Sequence, residues 1–193
     1  MSITNILLCG VGGQGTLLAS NLIAECAMEA GFDVKKSEVH GMAQRGGSVT
    51  THVRFGRHVA APTISPGQAH FILACECMEA ARYAHYLTKD GVIIANTRRI
   101  PSLPILIGRE AYPDDIASRL TALGVNVHWL DASTVAADLG NVRVENTVLL
   151  GAFSTFLAFP EDAWKQALGT VIPTKHVELN LAAFAAGRRL TQQ

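Results

Sequence analysis

A glycine cluster near the amino terminus constrains this chain more than any other segment. An apolar run, residues 3–9, ends there, and a helix-patterned run, residues 16–30, begins. Glycine lets the chain turn sharply and lets a ligand approach the backbone, and the following helix offers unpaired N–H groups at its positive dipole end. The sequence therefore predicts a strand, a turn able to hold an anion, and a helix. We name this turn the first glycine loop; it comprises Gly10, Val11, Gly12, Gly13, Gln14 and Gly15.

Length and charge limit what the chain can bind. With 193 residues, of which 49% are hydrophobic, the chain can build one well-developed core, and we predict a single domain over residues 1–193. Sixteen Lys and Arg residues balance sixteen Asp and Glu residues, so no strong field attracts nucleic acid or an acidic membrane surface. We expect the partner to be a small molecule or a protein.

The location of the chain is predicted from its apolar segments. Residues 1–5 lack the basic stretch, apolar core and small-residue cleavage site of an export signal, which predicts a cytoplasmic protein. The most apolar later segment, residues 147–159, is interrupted by Ser154 and Thr155 and falls short of the roughly 20 apolar residues that span a bilayer. This segment is predicted to be a buried helix, and no membrane partner is expected.

Cysteine spacing argues against a metal or cluster on this chain. The pattern matches neither a C-x-x-C metal site nor the clustered spacing of an iron–sulfur site. We therefore predict buried thiols in a reducing compartment and no metal site. The four cysteines are Cys9, Cys26, Cys75 and Cys77.

Hydrophobic periodicity predicts an α/β fold. It has three layers, with a mostly parallel sheet, helices on both faces, a hairpin insertion after the second strand and a helical C-terminal tail. In the hairpin, residues 48–55 would pair with residues 58–61. The other strands are predicted at 3–9, 32–39, 71–75, 92–96 and 125–130, with a turn at 89–91. The main helices are predicted at 14–30, 76–87, 113–123, 132–139, 145–159 and 175–186, the last one ended by Gly187.

The first glycine loop also fits the dinucleotide fingerprint. Gly10, Gly12 and Gly15 satisfy G-x-G-x-x-G, and Glu38 is the candidate acid for the ribose hydroxyls. A free-standing NAD(P)-dependent oxidoreductase of Rossmann type is therefore one alternative. The predicted hairpin replaces a crossover helix and argues against it. The Gln14 amide could bind an interface or a ligand, or it could cap the helix start.

A second glycine element follows the second predicted strand. Residues 44–47, the second glycine loop, combine a guanidinium with glycines that allow another surface to approach closely. An internal ion pair between Glu38 and Arg45 is the alternative, but a surface pair contributes only about 0–1 kcal/mol. Binding or docking is the better explanation. The loop comprises Gln44, Arg45, Gly46 and Gly47.

Taken together, these motifs resemble the gamma-type subunit of the 2-oxoacid:ferredoxin oxidoreductases, and most closely the small (beta) subunit of indolepyruvate ferredoxin oxidoreductases. The resemblance spans nearly the whole chain. Its blocks are both glycine loops, Glu38, residues 145–147, residues 150–152, Ile172, Pro173, Lys175, Glu178, Asn180, Ala183, Phe184 and Gly187.

The resemblance implies a subunit of a complex that oxidatively decarboxylates a 2-oxoacid to an acyl-coenzyme A and reduces ferredoxin. Thiamine diphosphate and iron–sulfur clusters would be held by a larger partner subunit, with no cofactor on this chain, although coenzyme A could be shared. The glycine loops would lie toward the assembled active site. Arg45 would offer a donor fork to a phosphate or carboxylate.

Other roles stay open on the sequence alone. Asn146 could lie at an interface or cap a helix. No Ser, Cys or His combination offers a nucleophile and a base in one motif, so no catalytic residue is assigned to this chain. A purely structural assembly domain is the third alternative, and the isolated chain could form a homodimer.

Overall fold

A mixed β-sheet forms the centre of the structure. The computed structural model describes residues 3–40 and 47–191, without the side chains of residues 40, 103 and 104. Within these residues the sheet has six strands in the order β2-β3-β1-β4-β5-β6, and β3 runs antiparallel to both of its neighbours. The strands are β1 Thr4–Val11, β2 Asp33–His40, β3 Ser48–Gly56, β4 Ala69–Ala74, β5 Leu87–Asn96 and β6 Asn126–Leu130.

Helices cover both faces of the sheet. The apolar side chains of β1 alternate between the faces, so Ile6 and Leu8 enter one core cluster and Leu7 enters another. The first cluster includes residues of α1, α5, α6, α7 and α8, whereas α2 and α4 cover the other face. The helices are α1 Thr16–Glu29, α2 Cys77–Tyr83, α3 Leu103–Leu106, α4 Ile116–Ala122, α5 Ala132–Asp138, α6 Glu145–Ser154, α7 Glu161–Val171 and α8 Thr174–Arg189.

The predicted fold class is confirmed, since a mostly parallel sheet lies between two helical layers and the chain ends in helices. The partner strand predicted at residues 58–61 is wrong. The backbone there is bound by side chains instead, because Asp33 Oδ2 accepts from Val59 N at 2.8 Å and Arg54 Nη1 donates to Ala61 O at 2.7 Å. The antiparallel partner of β3 is β2, in register from Asp33 with Gly56 to His40 with Val49.

Several predicted boundaries also change. The turn predicted at residues 89–91 lies inside β5, and the helix predicted at 76–87 ends at Tyr83 and continues as a short 3₁₀ turn. The helix predicted at 145–159 ends at Ser154, whose hydroxyl bonds to the Gly151 carbonyl at 2.6 Å. In the described part of the chain, every helix is too short or too polar to cross a membrane.

Glycines allow α6 and α8 to pack at close range. Gly187 was predicted to end the last helix, but it lies inside α8, where a Cβ would overlap the carbonyl oxygen of Val148. A Cβ on Gly151 of α6 would likewise overlap the carbonyl oxygen of Phe184. The prediction failed because a glycine that permits helix contact and one that ends a helix look alike in sequence.

We predict that Gly187→Ala destabilises the protein by about 1–3 kcal/mol or more, because the added methyl group forces the two helix backbones apart. Urea denaturation measures the change. Gly169→Ala is the matched control, since Gly169 lies in α7 and a Cβ there meets no neighbour within 4 Å. That control should gain about 0.5–1 kcal/mol. Equal stability for Gly187→Ala and the parent would show that the helices are not in backbone contact.

Candidate functional site

A cleft of about 600 Å³ opens at the carboxyl edge of the parallel strands. This edge is where open α/β sheets bind ligands. The first glycine loop forms one wall, and the segments after β5 and before α6 form the other. The structure therefore places Asn146 beside the first glycine loop, although the two are distant in sequence. The lining residues are Val11, Gly12, Gly13, Gln14, Gly15, Arg98, Ile100, Val142, Arg143, Glu145 and Asn146.

The backbone of the first glycine loop requires glycine at two positions. Gly13 and Gly15 have φ angles of 104° and 77°, which side-chain-bearing residues rarely adopt. Gly15 is the N-cap of α1 and offers no side chain to cap the helix. The first N–H groups of α1 therefore face the loop without a side-chain acceptor, as the predicted anion-holding turn requires.

The Gln14 side chain is used inside the loop. Its Oε1 accepts from Val11 N at 2.7 Å and its Nε2 donates to Cys75 O at 2.8 Å. It therefore ties the end of β1 to the end of β4 and does not cap α1. Gly10 fits beneath it, because a Cβ would lie 3.0 Å from Gln14 Oε1 and 3.1 Å from Cys75 Cβ.

The two glycine loops meet at one hydrogen bond. Gly12 N donates to Gly47 O at 2.8 Å, which brings the start of β3 against the first loop. This hydrogen bond also occupies the N–H group of Gly12, a residue predicted to bind a ligand or to lie at an interface. Gln44, Arg45 and Gly46 lie outside the described residues, so their proposed roles stay predictions.

Glu38 lies away from the first glycine loop. It is on β2, where its Oε1 lies 3.7 Å from Lys36 Nζ. Because β3 lies between β2 and β1, Glu38 is two strands, or roughly 10 Å, from the first strand. In a dinucleotide fold the acid-bearing second strand neighbours the first. The strand order therefore argues against Glu38 as a ribose-binding acid.

Asn146 holds the first glycine loop and does not cap α6. Its Nδ2 donates to Gly15 O at 3.3 Å, and a Cβ on Gly15 would collide with it. The N-cap of α6 is Val144, so the capping alternative for Asn146 is wrong. A hydrogen-bond chain continues to α8, because Thr147 Oγ1 donates to Asn180 Oδ1 at 2.6 Å.

Two arginines complete the cleft, and sequence reasoning missed both. Arg98 follows β5 and pairs with the buried carboxylate of Glu145, which also accepts from the buried amide of Asn96. The side chain of Arg143 is exposed, and no carboxylate among the described residues pairs with it. A basic residue two positions after a predicted strand was the available sequence signal for Arg98. Nothing local in the sequence pointed to Arg143.

The cysteines are buried, free thiols, as predicted. Burial raises the pKa of Cys75 to about 12, and the nearby carboxylate of Glu145 adds to the shift. Burial likewise raises the pKa of Cys9 well above its ordinary value. A thiol that stays protonated is a poor nucleophile and metal ligand. Among residues 3–40 and 47–191, no group of three His, Cys, Asp or Glu side chains could hold a metal ion.

The fold and the cleft define an α/β domain with a cleft between a glycine loop and two arginines at the carboxyl edge of its sheet. The described residues that line this cleft include no activated nucleophile. A family model described as pyruvate ferredoxin/flavodoxin oxidoreductase matches residues 5–190, and the chain belongs to this family. The predicted subunit of a 2-oxoacid:ferredoxin oxidoreductase is thereby confirmed at the family level, and the free-standing nicotinamide enzyme finds no support.

Two curated relatives match along almost their full length. The indolepyruvate oxidoreductase subunit IorB of Thermococcus kodakarensis is 38% identical, with 98% of this chain and 96% of the relative covered. The IorB subunit of Archaeoglobus fulgidus is 41% identical, with 95% and 92% covered. The pyruvate/ketoisovalerate oxidoreductases common subunit gamma of Pyrococcus abyssi is more distant, at 26% identity over 74% of this chain.

Solved structures share the fold. The gamma subunit of a keto/oxoacid ferredoxin oxidoreductase from Geobacter sulfurreducens superposes with a TM-score of 0.73 at 24% identity, covering 98% of both chains. The 2-oxoglutarate:ferredoxin oxidoreductase of Magnetococcus marinus gives a TM-score of 0.78 at 20% identity. This chain corresponds to 31% of that longer polypeptide, so the same fold also occurs within a larger chain.

We predict that Gln14→Glu destabilises the protein in a pH-dependent way. An ionised carboxylate cannot donate to Cys75 O, so the variant should lose about 1–3 kcal/mol at pH 7. A protonated carboxyl can donate, which raises the folded-state pKa above the unfolded value of about 4.3. The deficit should therefore shrink as the pH falls toward 4 and grow as it rises.

Urea denaturation at several pH values measures this effect. Gln68→Glu is the matched control, because Gln68 is exposed and hydrogen-bonds through its backbone alone among the described residues. That control should differ little from the parent at any pH. A Gln14→Glu deficit that does not change with pH would contradict the bridge between β1 and β4.

Proposed function

We propose that this chain is the small subunit of an indolepyruvate-type 2-oxoacid:ferredoxin oxidoreductase. Its cleft would receive an anionic group of coenzyme A at the boundary with a larger subunit. The observation that carries the proposal is the cleft itself, in which Arg98 and Arg143 face a glycine loop at the carboxyl edge of the sheet. The nature of the substrate is inferred from the IorB relatives at 38–41% identity.

Exposed apolar side chains support a protein partner at this same edge. Seven large apolar side chains are exposed in the described part of the chain, and three of them lie at or next to this edge. Exposed apolar patches beside a cleft are typical of interaction surfaces. Leu17 lies in the first turn of α1, Val39 lies at the carboxyl end of β2, and Val142 lines the cleft.

The charges in the cleft suit a phosphate or carboxylate. Glu145 neutralises Arg98, but 44% of the Arg98 side chain remains accessible. Arg143 adds a planar donor fork, and the start of α1 adds N–H groups at its positive end. Coenzyme A offers several phosphate groups. The cleft would bind and orient it, and it would keep water out once the partner covers the opening.

The reactive groups would come from the partner subunit. There, thiamine diphosphate and iron–sulfur clusters would supply decarboxylation and electron transfer to ferredoxin. The described residues of this chain supply the anion site and the apolar rim. The Magnetococcus enzyme was solved with 2-oxoglutarate, coenzyme A and succinyl-CoA bound. The cytoplasmic location, the single domain and the homodimer of the isolated chain stay predictions.

A purely structural role is the second candidate. It is favoured by the internal bonds of the first glycine loop, since Gly12 N is taken by Gly47 O and the Gln14 amide by Val11 and Cys75. In that case the loop would serve packing, and the cleft would receive a side chain of the partner. The two candidates differ in whether cleft arginines affect ligand kinetics or assembly.

We predict that Arg143→Gln raises the KM for coenzyme A about tenfold in the complex co-purified with its partner chain. The reason is the loss of one charge-assisted hydrogen bond to a phosphate. The KM for the 2-oxoacid should stay unchanged. Steady-state reduction of ferredoxin or a viologen dye with indolepyruvate measures both constants.

Arg189→Gln is the matched control, because Arg189 is exposed at the end of α8 and does not line the cleft. It should leave both KM values unchanged. If Arg143→Gln weakens assembly but leaves the KM for coenzyme A unaltered, the structural role is correct. If the tagged chain purifies without a larger cluster-bearing partner, the subunit proposal fails.

A further inference from the structure

Glu76 is a buried carboxylate that the proposed function does not use. Its residue is 0% exposed, and no cation among the described residues pairs with it. Three donors satisfy it: Glu79 N at 2.9 Å, Ile100 N at 2.9 Å and Tyr112 Oη at 2.5 Å. Burying a charge without a counter-ion is costly, and such a group persists only where hydrogen bonds replace water.

The two carboxylate oxygens of Glu76 have different hydrogen-bond partners. Oε2 accepts from Glu79 N and caps the first turn of α2. Asp, Asn, Ser or Thr would cap that turn at least as well, because helix N-caps favour short polar side chains. Oε1 accepts from Ile100 N and Tyr112 Oη, which lie 24 and 36 residues further along the chain. Capping therefore does not explain why a side chain as long as that of glutamate is present at position 76.

The segment held by Oε1 carries two residues of the cleft. Arg98 and Ile100 both line it. On one side of this segment Thr97 N donates to Leu130 O at 2.9 Å, and on the other Cys77 N donates to Arg98 O at 2.9 Å. Among the described residues, the remaining bond from its backbone to α2 is the one from Ile100 N to Glu76.

We propose that Glu76 is a positioning residue for the cleft: through Ile100 N it holds residues 97–100 so that Arg98 presents its guanidinium to the bound anion. This inference rests on the proposed function for the identity of that anion. Glu145 binds the Arg98 guanidinium itself. Arg98 is thus oriented by one carboxylate that binds its side chain and by another that binds the backbone two residues further along.

Tyr112 keeps the Glu76 oxygen in place. Burial, together with its hydrogen bond to Glu76, raises the pKa of Tyr112, so its hydroxyl stays protonated and donating at physiological pH. The same hydroxyl accepts from Met78 N at 3.1 Å, which links it to α2. Its ring also lies 5.3 Å from the Arg99 guanidinium. The Tyr112 ring therefore also contacts Arg99, the residue next to Arg98.

Glu76→Asp separates positioning from capping. The shorter aspartate keeps the charge and the cap on α2 but cannot reach Ile100 N. Hydrogen exchange at the Ile100 amide and trypsin cleavage after Arg98 or Arg99 report whether the segment is released. Glu110→Asp is the matched control, because Glu110 is exposed and makes no hydrogen bond or ion pair within the described residues. Tyr112→Phe serves as a second variant. We expect it to increase exchange and cleavage less than Glu76→Asp does.

Kinetics of the complex provide the functional measurement. Glu76→Asp should raise the KM for coenzyme A about tenfold, with the KM for the 2-oxoacid unchanged, because one anchoring hydrogen bond is lost. The effect should largely disappear in the background of Arg98→Lys, which keeps a cation for Glu145 but loses the donor fork. If Glu76 contributed to stability alone, the ratio of the KM for coenzyme A to the KM for the 2-oxoacid would not change. Nor would the substitutions at positions 76 and 98 be coupled.

The outcomes separate this inference from the proposed function. If Glu76→Asp releases the segment but leaves the KM for coenzyme A at its parent value while Arg98→Lys raises it, the inference is overturned and the proposed function stands. If Arg98→Lys has no kinetic effect, the proposed function fails. Hydrogen exchange and trypsin cleavage alone then decide whether Glu76 holds residues 97–100. Unchanged exchange at Ile100 in both Glu76→Asp and Tyr112→Phe overturns the inference in every case.

Discussion

The cleft depends on buried and half-buried side chains that replace water at the carboxyl edge of the sheet. Where β1, β4 and β5 end, their backbone groups lose ladder partners and need others. Gln14 bridges β1 and β4, Glu76 holds the segment after β5, and Glu145 binds Arg98 and Asn96. Each of these side chains joins segments that are distant in the sequence. The resulting edge is ordered enough to present two arginines and a glycine loop.

This arrangement fits a subunit better than an independent enzyme. The described residues form a cleft between a glycine loop and two arginines, and burial raises the pKa of the Cys9 and Cys75 thiols so that they stay protonated. A binding surface gains catalytic use when a second chain covers it and brings the reacting groups. The antiparallel strand β3 contributes to the same edge, because it brings Gly47 against Gly12 and so joins the two glycine loops.

Much of the fold could be predicted because its signals are local. The alternation of apolar strands and helices predicted the layered sheet, and the glycine loop predicted the junction of β1 and α1. Errors occurred where glycine or polar residues have two uses. Gly187 permits helix contact, and residues 58–61 are bound by Asp33 and Arg54 side chains instead of a strand partner. Neither outcome leaves a mark in the neighbouring sequence.

The sequence by itself determined the α/β class, the family and the position of the first glycine loop, because each follows from short-range periodicity or from motifs read in order. The tertiary structure alone decided the strand order, the bridge made by Gln14, and the meeting of Arg98, Arg143 and Asn146. The strand order depends on which strands pair, and the contacts of Gln14 with Cys75 and of Asn146 with Gly15 join residues 61 and 131 positions apart. Such pairings are set by packing and by the need to satisfy buried polar groups. Local propensity does not encode them.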